Sequence, residues 1–126
     1  MRTESRVFAF KIIFSTLFES DVEEAKLNFD ENLNFSKNDK DFADSILAEF
    51  TNNKLVLEEE LTTLLENYEL DRIYKVDLAL IYLGMTEIKY IKTPKPVVIN
   101  EVVEIAKKYS TENSSKFVHG ILAKIE

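Results

Sequence analysis

The sequence predicts an all-α fold, on three observations. Only two glycines and two prolines occur among 126 residues, too few turn formers for a chain of many hairpins. Apolar residues recur three and four positions apart over most of the chain, which is the helical period. Residues 76–91 are apolar in nearly every direction around a helix axis, the pattern of a helix buried on all sides. A chain of this length is expected to form one domain, residues 1–126, with roughly two thirds of its unfolded surface buried.

The elements follow in order. Thr3 suits the cap of a first helix over residues 4–18, with Glu4 in its first turn and Phe10, Ile13, Phe14, Leu17 and Phe18 on one face. A short helix is expected over residues 22–29, and the Asn-rich stretch 28–34 reads as a loop. Ser36 and Asp39 resemble a capping box. They open a helix that runs to Phe50 and buries Phe42, Ile46, Leu47 and Phe50. Asn52-Asn53 marks a break or a bend. Residues 55–68 form another helix, with Leu57, Leu61, Leu64, Leu65 and Tyr68 inward.

Residues 76–91 are expected as the central helix. Gly84 inside it costs about 1 kcal/mol relative to alanine, which close approach of another helix would offset. Thr93-Pro94-Lys95-Pro96 ends that helix and starts the next. Over residues 97–109, Val98, Val102, Ile105, Ala106 and Tyr109 make an apolar stripe opposite Asn100, Glu101, Glu104, Lys107 and Lys108. Residues 110–115 read as a polar connection. A last helix carries Phe117, Val118, Ile121, Leu122 and Ile125 on one side.

The composition excludes several chemistries. There is no cysteine, so disulfides, thiolate catalysis and zinc–thiolate sites are ruled out. The lone histidine, His119, has no second histidine or cysteine with which to share a metal. Glycines only at 84 and 120 leave no phosphate-cradling loop. Acidic neighbours such as Glu58-Glu59-Glu60 read as a solvated face rather than an acid–base pair. No catalytic pattern emerges, so a non-enzymatic protein with no cofactor is expected. No apolar run approaches the roughly 18 residues of a membrane span, and the start of the chain lacks a secretory pattern. A cytoplasmic location is expected.

The net charge of −7 disfavours nucleic acid at first sight. Its distribution is uneven. Residues 1–18 hold three basic side chains against one acidic, residues 19–87 hold 6 against 18, and residues 88–126 hold 7 against 4. A fold that joins the ends would make a basic patch beside an acidic face.

Residues 96–122, PVVINEVVEIAKKYSTENSSKFVHGIL, resemble the signature of the NusB transcription antitermination family: a Pro-led Ile-Asn-Glu helix, Ala-Lys, a short polar loop, then Ser-x-Lys-Phe-Val. Leu70-Asp71-Arg72-Ile73, Val76-Asp77 and Thr86-Glu87-Ile88 are similar to the family's central stretch. The resemblance implies six to seven helices in two small crossed bundles. It also implies pairing with the small-subunit ribosomal protein NusE, and binding to boxA-type single-stranded RNA of nascent ribosomal transcripts. RNA polymerase would then be affected through that complex.

The family's arginine-rich N-terminal segment is reduced here to Arg2 and Arg6. With Asn113, Ser114, Ser115, Lys116 and Phe117, they are the RNA-binding candidates that the resemblance implies. Phe117 fits either stacking on a base or core packing. Asp77 fits either a carboxylate offered to the basic ribosomal protein or a charge complementing a helix start. Asn100 is expected to tie the loop before its helix, and Glu101 to favour the helix dipole. His119 stands where the family usually has Asn. Two further readings remain: a protein-interaction scaffold or homodimer without RNA binding, and a domain of an RNA methyltransferase, which would continue into a Gly-rich cofactor domain.

Overall fold

A computed structural model describes residues 2–29, 35–66 and 69–126. Six α-helices are found among them: α1 Arg2–Thr16, α2 Val22–Phe29, α3 Lys37–Leu64, α4 Lys75–Thr86, α5 Lys95–Tyr109 and α6 Glu112–Ala123. A 3₁₀ turn, Leu70–Arg72, precedes α4, and a π-helical turn, Glu87–Ile91, extends it. The all-α expectation holds. Helices α1 to α3 pack together, α4 to α6 pack together, and α4 also meets α1 and α3.

α4 is central because its body has no polar face to turn to water: Leu78, Ala79, Leu80, Ile81, Tyr82, Leu83 and Met85 are all buried. A Cβ on Gly84 would stand 2.7 Å from Leu122, so the bare backbone lets α6 seat against α4. The helix ends in a π turn, and Lys92 takes a left-handed φ of 68° as its cap.

Three expectations change. α1 stops at Thr16, so Phe18 lies beyond it and is 56% exposed, while Phe8 and Ile12 are buried instead. Thr3 lies within α1 and donates to Glu101 rather than capping. The break or bend expected at Asn52-Asn53 is present, as a kink at Asn53 within α3. There the Asn53 amide donates to the Glu49 carbonyl, competing with the backbone ladder. Its start is as read: Ser36 accepts from the Asp39 amide. Finally, residues 112–115 are helical. Thr111 accepts from the Ser114 amide, so α6 starts one turn earlier than its apolar stripe suggests. Most of the expected loop at 28–34, and the inward position of Tyr68, lie outside the described residues.

Lysines close two helix ends. Lys95 donates to the carbonyls of Ala123 and Ile125 past the end of α6, and Lys124 reaches the Leu64 carbonyl at the end of α3.

Candidate nucleic-acid and partner interface

The start of α6 is built from small hydroxyls. The Thr111 hydroxyl donates to Ser114 Oγ at 3.0 Å, and Ser114 Oγ donates to Asp77 Oδ2 at 3.0 Å. Ser110 donates to the other carboxylate oxygen at 3.1 Å. Asp77 is 4% exposed and lies in the first turn of α4, where negative charge complements the helix dipole. Its carboxylate thus fastens the start of α6 to the start of α4. Ser115 turns inward as well and donates to the Glu112 carbonyl.

Above Asp77 opens a cleft of about 440 Å³, bordered by Arg72, Tyr74, Asn113, Ser114 and Phe117. Arg72 and Tyr74 are exposed and Phe117 is half-buried. Of the candidates at this helix start, Asn113 and Lys116 face outward, Phe117 lies at the rim, and Ser114 and Ser115 are buried supports. The structure therefore brings Asp77 and the Asn113–Phe117 group into one place.

Arg2 and Arg6 part company. Arg2 is exposed and lies 4.3 Å from the Phe42 ring centre. Arg6 is 4% exposed, and its guanidinium donates to both oxygens of the fully buried Glu87 at 2.5–3.0 Å. Glu101 approaches Arg6 at 3.7 Å. Burial alone would lower the Arg6 pKa, but the bond to Glu87 and the two carboxylate charges outweigh it and raise the value. Glu101 is two turns into α5, past the reach of the helix terminus, and faces α1 instead. Asn100 and His119 are exposed and border a groove between α5 and α6.

One cluster was not singled out from the sequence. Lys11 and Lys108 lie 5.5 and 5.6 Å from the Tyr109 ring centre. Tyr109 begins an aromatic row through Phe10, Phe14 and Phe18, with ring centres 5.1–6.4 Å apart. The i, i+4 spacing of the three phenylalanines was visible, but their continuation onto α5 was not. Two lysines beside the exposed Tyr109 ring suit a single-stranded nucleic acid.

Comparison with known proteins gives a consistent picture. Residues 3–126 match the NusB family. The transcription antitermination protein NusB of Finegoldia magna is 35% identical over 130 residues, covering 98% of this chain and 92% of the relative. The solved T. maritima NusB has a TM-score of 0.89 at 32% identity, covering 98% of this chain and 89% of that one. The NusB–NusE complex with double-stranded RNA contains a chain with a TM-score of 0.77 at 23% identity, covering 97% and 92%, a likeness of fold. On residues, fold and coverage alike, the chain belongs to the NusB family.

Proposed function

We propose that this chain is a transcription antitermination factor that pairs with the ribosomal protein NusE and binds boxA-type single-stranded RNA. It would act on the RNA polymerase elongation complex through that assembly. The observation that carries this reading is agreement over nearly the whole chain with the Finegoldia magna antitermination protein. Residues 1–126 serve as one domain that works by binding, without a catalytic step. The cytoplasm is where nascent transcripts and ribosomal proteins meet.

The cleft at the start of α6 supports a division of labour. Asn113, Lys116 and Phe117 offer a hydrogen bond, a charge and a ring to RNA. Ser114 and Ser115 hold that turn in place, Arg2 adds a charge at α1, and Arg6 positions α1 itself. Asp77 braces the floor of the cleft, where the basic partner approaches beside Tyr74. A homodimer or protein scaffold without RNA binding is the second reading, favoured by the commitment of Arg6 to Glu87.

Fluorescence anisotropy with boxA-like and scrambled RNA, with and without NusE, at two salt concentrations, tests the proposal. Selective binding that strengthens with NusE and weakens with salt is the expected result. NusE binding without RNA selectivity would select the scaffold reading.

A further inference from the structure

The two glycines differ in what surrounds them. At Gly84, an added Cβ would stand 2.7 Å from Leu122 and force it to shift. At Gly120, an added Cβ would meet nothing within 4 Å. A glycine in mid-helix costs helix stability relative to alanine, and no contact among the described residues requires it here. The space it leaves opens outward into a groove of about 310 Å³ between α6 and the end of α3, bordered by Leu64, Phe117 and Ile121. Lys116 and Lys124 stand one turn to either side of Gly120 on the same face of α6. Both are exposed, and Lys124 is held only by a long 3.4 Å bond to the Leu64 carbonyl among the described residues. Phe117, at the rim, lines both this groove and the Asp77 cleft, so the two adjoin.

We propose that the RNA strand does not end at Phe117 but continues along α6, its sugar–phosphate backbone crossing the helix at Gly120 between Lys116 and Lys124. This deepens the RNA-binding reading above and rests on it. Lys116 and Lys124 are about 12 Å apart along the helix axis, which lets one strand meet both. The bare Gly120 backbone lets the strand approach closely between them. Glu66 on the opposite rim of the groove keeps the strand on the α6 side.

The test uses the full chain with NusE and two single-stranded RNAs, a short boxA-like RNA and the same RNA extended at either end. Gly120→Gln, Lys124→Gln and, as a remote control, Lys54→Gln are compared by anisotropy, with circular dichroism melts to confirm folding. Gly120→Gln is expected to weaken the extended RNA about tenfold while the short RNA changes less. Lys124→Gln is expected to lower the salt slope by about 0.7, the loss of one phosphate contact on a single strand. Folded variants with unchanged affinity and slope, where the parent binds RNA, would overturn the extension and leave the RNA-binding function standing. Loss of NusE binding with RNA binding intact would overturn it too, and give this face to the protein. A parent that binds neither RNA removes the underlying reading itself. If Gly120→Gln fails to fold, the Lys124→Gln slope decides alone.

Discussion

Arg6 and Glu87 are separated by 81 positions in sequence and are joined by a doubly bonded ion pair inside the protein. A buried carboxylate left without its cation is strongly destabilising, by roughly 3–5 kcal/mol. Arg6→Ala is therefore expected to lower stability on that scale in a urea melt. Replacing both partners together, Arg6→Met with Glu87→Leu, should recover much of the loss, since no charge is then stranded. A mild effect of Arg6→Ala would mean that the pair is open in solution. Sequence placed Arg6 in a basic segment, and the resemblance made it an RNA-binding candidate; its capture by Glu87 was not legible, because that partner lies 81 positions away. The same holds for Asp77. Its position in the first turn of α4 was legible, but the two serine hydroxyls that use up its oxygens come from residues 33 and 37 positions away. Lys116 was easier to place, since the face opposite an apolar stripe is the exposed one.

Helix boundaries show how local chemistry overrides periodicity. In α5 Val98, Val102, Ile105 and Ala106 are buried as their spacing demands, but Tyr109, the last member of the expected stripe, is exposed. In α6 the polar opening hides the start, because Thr111 satisfies a backbone donor there, which an apolar pattern cannot reveal. At Asn52-Asn53 the residues mark a real distortion, but the helix survives it as a kink. The contrast between the two glycines is testable at this scale. Gly84→Ala should gain helix propensity and still destabilise, because overpacking against Leu122 costs typically about 1–3 kcal/mol. Gly120→Ala, with open space above it, should raise stability by about 0.5–1 kcal/mol. Thermal melts of the two variants that moved in the same direction would contradict the packing at α4 and α6.

At the scale of the molecule, two groups of helices share α4, and α4's uniformly apolar sequence made that arrangement legible. How the groups join was not, since ties such as Lys124 to Leu64 and Arg6 to Glu87 connect distant residues. The core also responds to pH. Burial, with a contribution from the Glu58 charge, pushes Tyr82 up to about 12. The unfolded tyrosine ionises near 10, so the folded state resists a proton loss that the unfolded state accepts. This contribution is complete below about pH 10 and is lost as pH rises toward 12. It amounts to about 3 kcal/mol for a shift of about two units. Urea melts at pH 9 and 11 should show a larger alkaline loss for the parent than for Tyr82→Phe. Equal losses would place Tyr82 in contact with water.

The Arg6–Glu87 bond also sets a timetable for a chain emerging from the ribosome. α1 is made before α4, and its cation has no carboxylate to meet at Glu87 until 81 further residues have been added. At about 5–20 residues per second, that interval is roughly 4–16 s. Until then α1 also lacks α4, one of the three helices it packs against, while α2 and α3 are already made. α1 is thus expected to settle first against α2 and α3, with its cation unpaired until the central helix is available.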